Sequence, residues 1–274
     1  MSFSVAGRTL DLVGVIGSGQ IGPDIALHFA KVIAAAGGRV VVVDVSEDAL
    51  AKGRAKFEKK IARGEKSHAF KPKHAEAMRA AVVFTSDYEA LRGANLVVEA
   101  ASEDVGLKGR IFGQVAALAA DDAVLLSNSS HLEPERIFAK TPNPGRTAVA
   151  HYFFPAERNP VVEIVPGAAT DDATTEWLMR LYETIGKIPI RVSSRYGYAC
   201  DPIFEGIFAV ACLAVESGLG TIREVDFVAR EALGMTVGPF TAMNLTGGNP
   251  ITAHGLAEMT SRIQPWYRPP KLLT

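Results

Sequence analysis

The stretch Asp11 to Asp44, DLVGVIGSGQIGPDIALHFAKVIAAAGGRVVVVD, decides the fold. An apolar run, Leu12 to Ile16, enters Gly17-Ser18-Gly19-Gln20-Ile21-Gly22. A helical segment follows with Ile25, Phe29, Val32 and Ile33 at helical spacing, closed by Gly37-Gly38. A second apolar run, Val40 to Val43, stops at Asp44. Strand, glycine turn, helix, strand and acid in this order form the dinucleotide-binding fingerprint. Gly17 allows the tight turn, Gly19 lets backbone approach a pyrophosphate, and Gly22 lets helix and strand pack closely. The helix N-terminus offers free N–H groups and a positive dipole end to the phosphates. Asp44 stands 22 residues past Gly22, where a carboxylate holds ribose hydroxyls and repels a 2′-phosphate. NAD is therefore expected rather than NADP, bound by Gly17, Ser18, Gly19, Gln20, Ile21, Gly22 and Asp44. The alternative is a glycine-rich turn that binds nothing.

Working outward, 274 residues suggest one large or two modest domains, and an apolar fraction of 48 % is ample for a core. A net charge of −1 gives no global basic field for nucleic acid or a membrane surface. No apolar run approaches the roughly 18 residues of a membrane span, and the N-terminal residues lack the pattern of a signal peptide. Cys200 and Cys212 sit among apolar residues and read as buried thiols in a reducing compartment, with no metal site expected. The expectation is a soluble, cytoplasmic protein.

After Asp44, Ser46 caps a helix carrying Leu50, Phe57 and Ile61, which Gly64 and Pro72 are expected to break. A second helical stretch runs through Ala75 to Ala80. An ordinary crossover is shorter, so the segment reads as an inserted helical hairpin. It carries Lys56, Lys59, Lys60, Arg63, Lys66, Lys71 and Lys73, either a solvated face or a patch for the phosphates of a large anionic substrate. Strand patterns recur at Val82–Phe84, Leu96–Ala100, Ala123–Leu126, Thr147–Ala150, Val161–Val165 and Ile188–Val192, with an amphipathic helix over residues 174–185. From Ser194 the strand pattern stops, and helices are expected over 202–217 and 223–233. The reading is α/β: a Rossmann-like dinucleotide-binding domain with an inserted helical hairpin over residues 1–193, then a smaller all-helical domain over 194–274. The proline-rich tail from Gln264 reads as an extended arm.

Ligands of open α/β sheets bind beyond the carboxyl ends of strands. Glu103, Asn128 and Ser130 follow such ends, where the nicotinamide half of the cofactor lies, although small polar residues there also serve as plain turn formers. Oxidation of an alcohol by NAD needs a base for the hydroxyl proton, and histidine suits it. Of six histidines, His151 ends a strand on the expected side, and His131 is a poorer candidate. Glu163 stands amid Val161, Val162, Ile164 and Val165, and a carboxylate buried in such a run needs a partner. The two can form a dyad in which Glu163 sets the imidazole tautomer. The alternative is an edge-strand glutamate facing water.

Ser127-Asn128-Ser129-Ser130, His151-Tyr152-Phe153-Phe154-Pro155 and Val162-Glu163-Ile164-Val165 together resemble the 3-hydroxyacyl-CoA dehydrogenase family. So do GSGQIG, the helical hairpin, Val98-Glu99-Ala100 with Glu103 and Lys108, and Gly238-Pro239-Phe240. The resemblance implies NAD-dependent, reversible oxidation of a 3-hydroxyacyl-CoA in fatty acid metabolism, by a homodimer built on the helical domain. It makes His151 the acid/base, Glu163 its orienting partner and Ser130 a hydrogen-bond partner of the substrate oxygen. Glu103, Lys108 and Asn128 match cofactor-side positions, and the hairpin lysines would meet the CoA phosphates. Two positions depart from the family pattern. Phe154 replaces an asparagine before the proline, and Asp201 replaces an active-site asparagine. An ionised Asp201 only accepts hydrogen bonds. The family's closing glycine- and aromatic-rich segment is absent after Pro270, so either this sequence stops within a longer protein or the second domain is short. Two other functions are compatible with these departures: the same chemistry on a non-CoA hydroxy acid or cyclic alcohol, or an impaired NAD-binding regulatory protein.

Overall fold

The computed structural model describes residues 2–245 and 248–274. They divide into two compact units, 1–194 and 195–274.

The first unit opens with a short hairpin, β1 (Ser4–Val5) and β2 (Arg8–Thr9). Then come β3 (Leu12–Ile16), α1 (Gly22–Ile33), β4 (Arg39–Val43), α2 (Glu47–Lys66), α3 (Pro72–Ala81), β5 (Val82–Thr85), β6 (Leu96–Glu99), α4 (Val105–Ala116) and β7 (Val124–Ser127). The unit closes with α5 (Pro134–Ile137), β8 (Thr147–Tyr152), β9 (Val161–Pro166), α6 (Asp172–Thr184) and β10 (Ile188–Arg191). Eight of these strands form one sheet in the order β10-β9-β8-β7-β6-β3-β4-β5. All neighbours are parallel except β8 and β9. β3, β6 and β7 are buried along their whole length, which explains why they read as apolar runs without alternation. The chain builds outward from β3 through β4 to β5, then returns to place β6 on the other side of β3. That reversal opens the crevice at the ends of β3 and β6.

Ser46 caps α2 by accepting from the Ala49 N–H at 3.2 Å. Gly64 does not break this helix, contrary to the sequence reading: α2 continues to Lys66. A Cβ at Gly64 would lie 2.2 Å from the ring of Phe70, so glycine there makes room for the hairpin's own packing.

The second unit is helical: α7 (Cys200–Glu216), α8 (Ile222–Glu231), α9 (Pro239–Leu245) and α10 (Asn249–Arg262). Thr221 and Glu224 form a capping box on α8. Asp226 accepts from the Phe240 and Thr241 N–H groups at 2.8 and 3.0 Å, and a Cβ at Gly238 would strike Asp226. The Gly-Pro-Phe motif is thus the seat of this cap. Cys212 is buried, whereas Cys200 is half-buried. The tail is not an extended arm: it makes short turns at Pro265–Tyr267 and Lys271–Leu273, and Tyr267 and Leu273 join the core of Phe208, Phe240 and Met259.

Gly64→Ala pits about 1 kcal/mol of helix propensity against an overpacking cost of about 1–3 kcal/mol. Because the obstacle is a ring and not a flexible chain end, the variant is expected to unfold at lower urea concentration than the wild type. An equal or higher midpoint would show that propensity wins.

Candidate active site

The glycine turn lies at the reversal point of the sheet. Gly17 has φ +102°, and its N–H donates to the Val43 carbonyl at 2.8 Å. A Cβ there would sit 2.5 Å from the Ala100 carbonyl at the end of β6. A Cβ on Gly22 would lie 1.9 Å from the Gly17 carbonyl, so the first turn of α1 closes directly over the loop. At Gly19 a Cβ meets nothing within 4 Å. This is the open side, and it fits a pyrophosphate held against backbone N–H groups at a helix N-terminus. Asp44 accepts from the Ser18 N–H at 2.7 Å and the Ser46 N–H at 2.9 Å, which pins the carboxylate beside the turn. Ser18 faces inward instead: its hydroxyl donates to the Ala49 carbonyl at 3.0 Å. Gln20 is exposed and Ile21 half-buried.

At the ends of β6 and β7 a carboxylate unnoticed as a site residue organises the loops. Glu99 is fully buried. It accepts from the Ala101 N–H at 2.6 Å, the Ser127 hydroxyl at 2.6 Å and the Lys108 ammonium at 2.7 and 2.9 Å. Lys108, expected on the cofactor side, is 1 % exposed and turned onto Glu99, so it braces the site from behind. Its ammonium also reaches Glu103 at 3.3 Å. Glu103 accepts from the Ser129 hydroxyl and from the N–H groups of Ser130 and His131, both at 3.2 Å. Burial pushes the Glu103 carboxyl up, but the Lys108 charge and these donors outweigh it, and its pKa falls below the ordinary 4.5. Asn128 accepts from the Tyr152 N–H at 2.9 Å, tying this loop to the end of β8. The Ser130 hydroxyl has no protein partner among the described residues.

The antiparallel register of β8 and β9 sets His151 opposite Glu163. Nδ1 of His151 lies 2.8 Å from Glu163 Oε2, with the residues 4 % and 2 % exposed. Glu163 is therefore no edge glutamate: β9 is flanked by β8 and β10. With Nδ1–H donated to the carboxylate, Nε2 carries the lone pair of a base. The Phe153 ring packs on the imidazole at 4.7 Å between centroids. Phe154 is 54 % exposed, and the Lys56 ammonium stands 5.1 Å from its ring centre. Asp201 belongs to the other unit, half-buried in the first turn of α7.

The basic hairpin is partly consumed internally. Lys56 and Lys60 both reach Asp24, at 3.0 and 2.8 Å, and Lys60 also reaches Glu157 at 2.6 Å. Lys59, Arg63, Lys66, Lys71 and Lys73 are exposed, with no ion pair among the described residues. No group of three metal-ligating side chains occurs among the described residues, and no described helix is long and apolar enough to cross a membrane.

The model of the 3-hydroxyacyl-CoA dehydrogenase NAD-binding domain matches residues 12–195. The chain belongs to this family. NAD is its cofactor. It is 30 % identical over 263 residues to a 3-hydroxybutyryl-CoA dehydrogenase of Mycobacterium tuberculosis, covering 95 % of this chain and 91 % of that one. It is 31 % identical over 239 residues to the 3-hydroxyadipyl-CoA dehydrogenase of Escherichia coli, covering 86 % of this chain and 49 % of that longer protein. An L-carnitine dehydrogenase of Pseudomonas aeruginosa is 31 % identical over 192 residues, 68 % of this chain and 60 % of that one. The crystal structure of M. tuberculosis FadB2 superposes with a TM-score of 0.89 at 30 % identity, covering 97 % of this chain and 93 % of that one.

The lowered pKa of Glu103 has a consequence for stability. The folded value lies below the unfolded one, so the contribution is complete above the ordinary value of 4.5 and disappears as pH falls through the folded value. Glu103→Gln cannot titrate. The gap in Tm between wild type and Glu103→Gln should narrow as pH drops below 4.5, and a constant gap would contradict this account.

Proposed function

We propose that this family member oxidises 3-hydroxyacyl-CoA thioesters to the 3-keto form, reversibly, with His151 as acid/base. The carrying observation is the buried hydrogen bond between His151 and Glu163. NAD, when bound, supplies the hydride acceptor. His151 Nε2 takes the substrate hydroxyl proton, and Glu163 stabilises the imidazolium and holds its tautomer. Ser130, whose hydroxyl is otherwise uncommitted, donates to the substrate oxygen. Asp44 holds the adenosine ribose, the glycine turn holds the pyrophosphate, and Asn128 and Glu103 shape the nicotinamide end. The exposed cations Lys59, Arg63, Lys66, Lys71 and Lys73 offer contacts for the CoA phosphates. The fatty acyl class of substrate places the enzyme in fatty acid metabolism, and two cysteines outside any disulfide suit the cytoplasm.

The second unit is the dimerisation domain in this reading. It presents an apolar groove of about 620 Å³ between α7 and α8, with Ile203, Val210, Val228 and Leu233 on its walls. Ile203 and Leu233 are 67 % and 74 % exposed, and apolar surface of this kind marks an interface. A second copy is the partner proposed. Light scattering after gel filtration should give twice the chain mass of 29.2 kDa for wild type and the monomer mass for Val228→Asp.

One observation favours a second substrate class. Two asparagines of the family pattern are replaced, by Phe154 and by Asp201, and part of this sequence space is occupied by a similar enzyme named for a non-CoA alcohol, an L-carnitine dehydrogenase. Rates on acetoacetyl-CoA against free 3-hydroxy acids, followed by NADH absorbance, separate the two. In the favoured substrate, His151→Gln and Glu163→Gln should each lower kcat by about 10²-fold or more and leave NAD affinity unchanged. Near-wild-type turnover by either variant would sink the dyad.

A further inference from the structure

Asp24 is out of place for a surface charge. It stands in the first turn of α1, where an acid favours the helix dipole, yet it is 0 % exposed. Burying a carboxylate is costly unless it is paired, and a solvated acid would serve the dipole equally well. The burial therefore has another cause. Two lysines of α2 converge on Asp24 Oδ1: Lys56 at 3.0 Å and Lys60 at 2.8 Å. Lys60 then spans to Glu157 Oε1 at 2.6 Å. Glu157 belongs to the segment between β8 and β9, the connection that joins the strand of His151 to the strand of Glu163. Two ammonium groups and two carboxylates make a neutral cluster across three parts of the unit.

The same connection is gripped from its other side. Lys187, 5 % exposed, donates to the carbonyls of Ala156 and Asn159. Asn159 in turn accepts from the Val161 N–H at 3.1 Å, at the first residue of β9. One connection, eight residues from Phe153 to Pro160, thus receives two lysines, Lys60 from α2 and Lys187 from the turn before β10.

We propose that Lys60 is a positioning residue. Its ammonium, clamped between Asp24 of the phosphate-binding helix and Glu157 of the connection between the dyad strands, fixes the cofactor-binding turn relative to His151. The proposal rests on the dehydrogenase reading above and concerns how its parts are aligned. It also removes Lys60 from the substrate-facing charges of the hairpin. Burial raises the Asp24 carboxyl against the pull of Lys60 and Lys56. For Glu157, the Lys60 and backbone bonds outweigh the opposing effect of burial and lower its pKa. The Glu157 shift agrees with a carboxylate held by Lys60, whereas burial and the nearby Glu157 charge make Asp24 the harder of the two to ionise. Alignment is where such a strut acts, because a misplacement on the order of 1 Å between reacting groups can cost about 10²-fold in rate.

The test compares wild type, Lys60→Met, Lys60→Arg and Glu157→Gln in the full chain. Each is assayed in the reductive direction with acetoacetyl-CoA and with acetoacetyl-pantetheine, which lacks every CoA phosphate. NADH affinity is read by fluorescence titration. For Lys60→Met, kcat should fall about 10-fold or more with both thioesters, with NADH affinity within about 3-fold of wild type. Lys60→Arg, which retains a cation able to bridge two carboxylates, should recover most of the loss, and Glu157→Gln should follow Lys60→Met in direction. A loss confined to KM for the CoA thioester, absent with the pantetheine ester, would make Lys60 a phosphate contact and overturn the proposal. Unchanged kcat would overturn it too. Should wild type reduce neither thioester, the substrate reading fails by itself, and the strut is read by hydrogen exchange of residues 153–160 in the NADH complex. Exchange there should quicken in Lys60→Met and return in Lys60→Arg, and equal exchange in all three refutes it. If Lys60→Met does not fold, the isosteric Glu157→Gln carries the same two readouts.

Discussion

The hydrogen bond between His151 and Glu163 exists because β9 runs against β8 in one particular register. A slip of one residue would turn every side chain of β9 to the opposite face. Glu163 would then leave His151, and the valines and isoleucine of the strand would trade faces with it. The sheet is parallel from β5 through β8, so this single reversal is also where the dinucleotide-binding stack ends. The His151–Glu163 pairing and the end of the parallel stack are one event in the backbone. The connection between the two strands must hold that register, which gives its lysine grips, from Lys60 and Lys187, a structural logic.

A second pattern is the pairing of buried carboxylates. Asp24, Glu99 and Glu163 are all essentially buried, and each has a cationic or imidazole partner within 3 Å. Charges in a low-dielectric interior are tolerated only with such partners and further donors. Glu99 collects an ammonium, a hydroxyl and a backbone N–H, and in doing so fastens the ends of β6 and β7 to the start of α4. Loops at the ends of strands are ordinarily the most variable part of an open sheet. Here they are tied down by ion pairs and hydrogen bonds, and the Ser130 hydroxyl is left without a protein partner among the described residues.

Legibility in the sequence followed the range of the interactions. The glycine turn, Ser46 and the apolar strands are local patterns, so the dinucleotide-binding fold could be read from Asp11 to Asp44 with its helical hairpin. The pairing of His151 with Glu163 was legible because twelve residues separate them across adjacent strands, and a glutamate within a valine-rich run demands a partner. Glu99 gave the same kind of signal, an acid ending an apolar strand, but its lysine sits on the following helix and was read as a cofactor contact. Asp24, Lys60 and Glu157 left no local trace: the first two are 36 residues apart and the last two 97. Gly64 misled because a helix-breaking residue also serves as a packing cavity for Phe70. The tail misled because its prolines suggested extension, while Tyr267 and Leu273 bury in the helical core.

The charges of the hairpin bear on what the enzyme distinguishes. Seven cations in sequence read either as a solvated face or as one patch, and the fold divides them. Lys56 and Lys60 face inward to neutralise Asp24 and Glu157, while the remaining five stay on the exposed side. Exposed charges act through solvent and are screened beyond about 8–10 Å at physiological salt, so those five carry a diffuse field and no fixed geometry. Closer in sequence to His151 stands a neutral ring. Phe154 has neither donor nor acceptor, where an asparagine has both. Its exposed ring meets Lys56, a cation–π contact worth about 0.5–1 kcal/mol at such a site. Where the family pattern has an amide, this chain thus presents an apolar ring with a cation beside it.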